Sequence, residues 1–484
     1  MKMLGRSSVV VVLLVAAVAA HAGAAGAAGA PVAPSAAETL GNQHANLRAA
    51  ITSANAHSLR AAWLVRTPGP VSSTPIVWRG SLLFSDWRGW AWRVNALTGK
   101  VIWKRHLDTP DTTWPWYGLA GTGVVSGNVL VEVSADGYAW GLNAATGKPV
   151  WNKTYIGGDP APNTRNPNDP YAKYVGNLSD LLAAGGRVFV GLSSCEEPFA
   201  ESNPLFVPTA RGSVIALDAA TGNVDWQTWL VPTGDTGVPV WSSFALDPAS
   251  TAQHPSGILY TDTGNNYTNP TTANSDAMLA LDARTGELIW TTQLTPGDSW
   301  PTAGTDADFG AGPQLFTAAG AGGTVLKLVG AMQKPGLYTA LDRATGAIVW
   351  QTKLGNTSSR GEASVGQGRL FATANVRLTS GRYRGVIAAV ATATGKTLWR
   401  RTWSNAFMLA DAGFLSHDVY LIGDNAGALR AFRASNGKLL WSANTPGRSS
   451  VTSSLWVAGR FLYVGIGLPN HPSHPFGVAA FRLP

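Results

Sequence analysis

Cysteine is almost absent: Cys195 is the one thiol among 484 residues. No internal disulfide can form, and a covalent haem-attachment motif, which needs two cysteines and a histidine, is excluded. Charge is also scarce. Asp, Glu, Lys and Arg together make up 13% of the chain, too little for long solvated helices. The formal balance is +8, but the basic residues are scattered singly, with no Lys/Arg run and no basic helix. They serve solubility, and a nucleic-acid partner is not expected. What is abundant is Gly (55), Pro (29) and Trp (20), the composition of many short strands joined by tight turns. The fold class expected from composition is all-β.

The first residues have a basic start (Lys2, Arg6), an apolar run over 9–20 and a small-residue site at Ala20-His21-Ala22. This is the pattern of a secretory signal peptide. The alternative is a membrane anchor, for which the apolar run is short. Residues 1–30 are therefore read as signal peptide and flexible leader, and the protein is expected to be secreted or periplasmic, without a stable membrane span.

Length alone predicts about three domains, but an internal repeat replaces that count. An apolar stretch, Asp or Asn, two variable residues, Thr-Gly, three more residues and Trp recur at 94–103, 142–151, 217–226, 281–290 and 341–350. Degenerate copies follow at 390–399, with Ala391 in place of the Asp, and at 432–441, with Arg433 and Asn436. The Asp or Asn closes an Asx-type turn, and Gly supplies the positive φ the turn needs. The returning strand carries a large flat side chain that packs one sheet on the next.

The chain ends complete the count. Residues 477–483 read as the apolar strand of an eighth copy, and residues 59–63 supply a Trp-bearing strand with no hairpin before it. The expectation is an eight-bladed β-propeller of four-stranded antiparallel sheets over residues 40–484, closed by pairing of N- and C-terminal strands.

Blade parity then places a site. With strands A to D running outward from the axis, the Thr-Gly turn is C–D, and B–C and D–A loops share the opposite face. Spacings between motif glycines reach 75, 64 and 60 residues after Gly147, Gly222 and Gly286, so three consecutive blades carry insertions, which fall in loops. Residues 188–191, 259–261 and 326–330 read as B strands. The B–C loops that follow contain Ser193 to Glu197, Gly264-Asn265-Asn266-Tyr267 and Gln333-Lys334-Pro335-Gly336. Asp306-Ala307-Asp308 ends a D–A connection, and Trp241 opens a strand A. These residues are expected to converge near the axis. Taken singly, each is more often an ordinary loop or core residue. Cys195 reads as a free buried thiol, and His471 and His474 as loop residues.

With these stretches in hand, the chain resembles the PQQ-dependent alcohol dehydrogenases, and most closely their polyvinyl-alcohol-dehydrogenase-like branch. The resemblance runs from about Asn42 to the C-terminus and is carried by residues 71–75, 190–197, 239–243, 263–267, 306–310 and Gln333-Lys334. It implies that Glu196, Asn265 and Asp308 hold calcium and that Trp241 stacks on the PQQ ring. It further implies that Ser193 and Lys334 contact the cofactor and that Asp308 takes the alcohol proton. Asp298, in the inserted stretch 295–300, is a second candidate base. Calcium accepts such hard oxygen donors and acts as a Lewis acid, and a carboxylate beside it is suited to proton removal.

The sequence departs from the family at one point. A single cysteine cannot form the adjacent-cysteine disulfide that commonly covers the other PQQ face, and the matching region, 114–119, lacks the family's arginine. Either its aromatics serve as the lid or the cofactor site has decayed. The expected function is oxidation of a small-molecule or polymeric alcohol, with an external electron acceptor such as a cytochrome. The alternative is a cofactor-free propeller serving as a binding or assembly scaffold.

Overall fold

The computed structural model describes residues 35, 37, 39–107, 118–157, 175–194, 196, 208–249, 251–300, 304–404, 412–468 and 473–484. The expected signal peptide, Cys195, Glu197, residues 114–117 and His471 lie outside the described residues. Eight sheets follow one another along the chain, each built on four antiparallel strands in sequence order except the one shared by the termini; two gain a fifth strand, Ala45–Asn46 in parallel beside Phe414–Ser416 and Val175–Gly176 beside Arg187–Ser194. Among the described residues the helical segments are three-residue turns, and no helix is long and apolar enough to cross a membrane.

The repeat does in space what its chemistry requires. In blade 1 the Asn95 Oδ1 accepts hydrogen bonds at 3.0 Å from the backbone N–H groups of Leu97 and Thr98 and from the Thr98 hydroxyl. Asp218, Asp282 and Asp342 repeat this turn. Gly99 takes a φ of 70°, but conformation is only half of its role. A Cβ at Gly147 would lie 2.8 Å from the Trp103 ring, and one at Gly222 2.6 Å from Trp151. From Trp103 to Trp399 each motif Trp thus lies on the motif glycine of the following blade. Its indole N–H completes the dock, as when Trp103 donates to the Ala144 carbonyl at 3.1 Å and Trp399 to Ala434 at 2.9 Å.

The ring closes through the termini. Strand Arg60–Arg66 pairs antiparallel with Gly477–Arg482, in the register Trp63 to Ala480 and Arg66 to Gly477. Trp63 lies on Gly99 of blade 1, and Trp441 of blade 7 donates to the Leu59 carbonyl at 3.1 Å. The eighth sheet is thereby completed from both ends of the chain, and each blade packs between two neighbours.

One element was not legible in the repeat. Residues 40–44 form a strap across the inner strands of four successive blades. Leu246 N–H donates to Leu40 O at 2.6 Å, Leu315 to Gly41 at 2.8 Å, Val365 to Gln43 at 2.8 Å and Leu415 to His44 at 2.9 Å. The strap continues as Ala45–Asn46, parallel to Phe414–Ser416. Inner strands facing an axial channel have amides without sheet partners, and the strap satisfies them.

Candidate functional site

Three connections build the site. Trp241 sits in the D–A connection ahead of Ala245–Asp247, rather than opening that strand as expected from sequence. It is held by Val240 N–H donating to Leu192 O at 3.0 Å and Gly264 N–H donating to Pro239 O at 2.8 Å. Asp308 ends the next D–A connection, where Phe309 bridges to Gln333 and Lys334 N–H donates to Asp308 O at 2.8 Å. Gln333 ends the blade 5 B strand, Val325–Gln333, and its buried amide holds the Ala307 carbonyl at 2.8 Å.

Side chains from these connections meet. Lys334 Nζ lies 2.7 Å from Asp308 Oδ1 and 2.5 Å from Asp306 Oδ1. It also lies 5.0 Å from the centroid of the Trp241 ring, whose N–H donates to Asp308 Oδ2 at 3.2 Å. Asp308, Lys334, Glu196 and Asn265 are all buried. Three of the expected residues (Trp241, Asp308 and Lys334) are therefore in direct contact. Asp306, placed on this face from the sequence but given no role, is a fourth member: it takes a φ of 54°, and one lysine reaches both carboxylates.

Glu196 and Asn265 occupy the neighbouring loops. The Glu196 carboxylate accepts hydrogen bonds from the backbone N–H groups of Thr209 and Ala210, at 3.0 and 2.8 Å, and from the Thr209 hydroxyl at 2.9 Å. Gly237 N–H donates to Ala210 O at 2.8 Å, and Val238 N–H to Asn265 O at 2.7 Å, stitching the two loops together. Asn265 Nδ2 donates to Asp276 at 2.9 Å, which leaves its buried Oδ1 with no hydrogen-bond partner. Burial first, then the charges of Asp298 and Asp306, push Asp276 up to about 8. An orphaned buried amide oxygen near carboxylates is the donor chemistry of a hard cation, so these residues fit calcium. Among the described residues no three His, Cys, Asp or Glu side chains form a metal-holding group.

Two expected residues stand apart from this cluster. Asp298 is buried with Oδ1 accepting from Thr305 N–H and Oδ2 from Ala307 N–H, each at 2.8 Å. It shapes the turn that delivers Asp306 and Asp308. Ser193 is buried on strand Arg187–Ser194, where it pairs with Gly176.

Beside Trp241 an axial cavity of about 280 Å³ is lined by residues of seven blades, including Trp87, Asp180, Ser243, Arg360 and Glu362. Its floor rests on the strap: His44 Nε2 lies 2.6 Å from Glu362 Oε2, and Asn42 Nδ2 donates to the same oxygen at 3.1 Å. Burial alone would raise the Glu362 carboxyl, but hydrogen bonds from His44, Ser243 and Asn42 and the His44 charge outweigh it and hold it below the usual range. Asp180, half-buried at the cavity wall, is pushed up to about 6, by desolvation first and then by the Glu362 charge. Blade parity alone would have placed Arg360 and Glu362 on this face, since both lie in a D–A connection; no motif singled them out.

Solved structures show the same architecture. The quinohemoprotein alcohol dehydrogenase of Comamonas testosteroni superposes with a TM-score of 0.73 over 95% of this chain and 81% of that one, at 18% identity. BamB of Moraxella catarrhalis gives 0.57 over 87% and 99%, at 16% identity. The fold is that of a PQQ-type propeller. The family model PQQ_2, described as outer membrane protein assembly factor BamB, matches residues 44–163, 119–266 and 274–464. Polyvinylalcohol dehydrogenase of Sphingopyxis sp. strain 113P3 is 27% identical over 88% of this chain and 71% of that protein. The polyvinylalcohol dehydrogenase of a Pseudomonas species is 26% identical over 82% and 64%. The chain belongs to the PQQ_2 family, and over most of its length it is similar to polyvinylalcohol dehydrogenases.

Proposed function

We propose that this protein is an exported quinoprotein that oxidises an alcohol, holding PQQ and calcium beside the axial cavity and passing electrons to an external acceptor. The observation that carries the reading is the contact of Trp241, which lines that cavity, with Lys334 and Asp308 behind it. Trp241 offers a flat face, and Glu196 and Asn265 offer oxygen donors for the ion. PQQ bound there would supply an ortho-quinone able to take two electrons and two protons from the alcohol, and calcium would supply Lewis acidity toward it.

The chain's own residues do the rest. Asp308 accepts the proton of the substrate hydroxyl, and Lys334 and the Trp241 N–H hold its two oxygens in place. Asp306 shares the lysine, and Asp298 shapes the turn that carries both acids. Burial of Asp308 and Lys334 keeps bulk water from competing for that proton. The substrate is an alcohol, small or polymeric. The basic start, apolar run and small-residue site of the first residues support export.

The test is reconstitution of the purified chain with PQQ and calcium, followed by alcohol-dependent reduction of an artificial electron acceptor. Turnover that needs all three additions supports the reading. Binding of neither PQQ nor calcium would instead favour a scaffold propeller, the role that the family description attaches to BamB.

A further inference from the structure

Two cations lie over the Trp241 ring, and they differ in what neutralises them. Lys334 is paired with both Asp306 and Asp308, so its charge is already exceeded by its partners. Arg360, in the connection between Ile348–Lys353 and Ser364–Gly366, lines the cavity with its Cζ 5.6 Å from the Trp241 centroid. Its Nε donates to the Ser358 hydroxyl at 3.1 Å, and among the described residues it makes no ion pair.

The carboxylates that share the cavity are committed elsewhere. Glu362 accepts from His44, Asn42 and the Gly312 N–H, and Asp180 accepts from the Thr122 N–H. Gly310 makes the placement possible: a Cβ there would lie 3.0 Å from Arg360 Cγ and 3.1 Å from the far edge of the Trp241 ring. A fork of guanidinium donors laid over an aromatic plane, facing a cavity and paired with no carboxylate among the described residues, is suited to a flat ligand that carries its own carboxylates.

We infer that Arg360 is the anion-recognition residue of the axial cavity, binding a carboxylate of a planar aromatic polycarboxylate stacked at Trp241. The inference rests on the quinoprotein reading in so far as PQQ, a flat tricarboxylate, is that ligand. Lys334 then serves the carboxylates of the site, and Arg360 discriminates the ligand by charge.

Tryptophan-fluorescence quenching of the full chain, with calcium present, measures this directly. The probes are PQQ, phenanthrenequinone as a flat ortho-quinone without carboxylates, and trimesate as a flat tricarboxylate without a quinone. Arg360→Gln is expected to bind PQQ about ten- to a hundredfold more weakly, the range of a charge-assisted hydrogen-bonded pair, and phenanthrenequinone unchanged. Arg360→Lys should fall in between, since it keeps the charge but not the fork. PQQ binding within twofold of the parent in Arg360→Gln overturns the inference and leaves the quinoprotein reading standing. If the parent chain binds trimesate through Arg360 but not PQQ, the quinone reading fails and the anion site stands. If it binds neither, both fail.

Discussion

Asp308 and Asp298 are both buried acids in one connection, and their surroundings give them different work. Asp298 spends both oxygens on backbone N–H groups of the turn, whereas Asp308 is held by side chains from two other connections. Asp308→Asn keeps the shape and removes the basic oxygen. Turnover of the reconstituted protein should fall by roughly two to four orders of magnitude while PQQ binding survives. Asp298→Asn leaves one N–H without an acceptor, at a cost of about 1–3 kcal/mol. Thermal unfolding should show a midpoint that falls with Asp298→Asn, and steady-state kinetics a kcat that falls most with Asp308→Asn. The reverse order would move the base to Asp298. Sequence alone left the two acids as rivals, because what separates them is which backbone N–H groups they reach.

Glu132 provides a second test at this scale, away from the site. It is fully enclosed on the inner side of blade 2, with Gly123 packed against its carboxyl. Burial pushes it up to about 8, and the Ser85 hydroxyl offsets only part of that. The unfolded chain ionises this group near 4.5, so between about 4.5 and 8 the folded state binds more protons. Its stabilising contribution is complete below the lower value and is lost as pH rises through the upper one. Glu132→Gln should remove up to about 1.4 kcal/mol per pH unit of slope in that window and be the more stable protein at alkaline pH. Denaturant titrations across the window check it; parallel curves for the two proteins would mean that Glu132 is ionised in the fold.

Among the elements, the hairpin repeat was the most legible feature because its turn chemistry is local. Asx closure and a positive-φ glycine are set within five residues. What the repeat alone did not disclose is that the glycine is also the seat of the previous blade's tryptophan. Trp350→Ala removes a buried ring and its bond to the Thr392 carbonyl at 2.9 Å, so it should destabilise the protein by about 3–5 kcal/mol. Calorimetry of the variant reads the loss, and a change below about 1 kcal/mol would mean the dock is incidental. The strap escaped sequence reading for the opposite reason. Its bonds join residues more than two hundred positions apart, and residues 40–44 carry no repeat, only backbone carbonyls that any sequence could offer.

For the whole molecule, ring closure makes stability a shared property. Removing residues 1–66 would expose the edge of Gly477–Arg482 and take Trp63 from Gly99. Thermal unfolding should stay a single transition at a lower midpoint; an unchanged midpoint would contradict closure. Removing only residues 1–46 should also lower it, because inner-strand amides lose the strap and Glu362 loses Asn42 and His44. The eight-bladed count and shared eighth sheet were readable from the split repeat, and the face of the site from loop parity. The axial cavity was not, because its walls come from seven blades and depend on how far each loop reaches inward.

If this propeller holds PQQ through an ion bound at Glu196 and Asn265, removing the ion must weaken cofactor binding. Calorimetric titration of PQQ into the full chain, with calcium and again with a chelator, tests it most directly. Saturable binding with calcium and a loss of at least tenfold in affinity without it are expected. Equal binding in both conditions would contradict the ion's role, and no binding in either would contradict the quinoprotein reading itself.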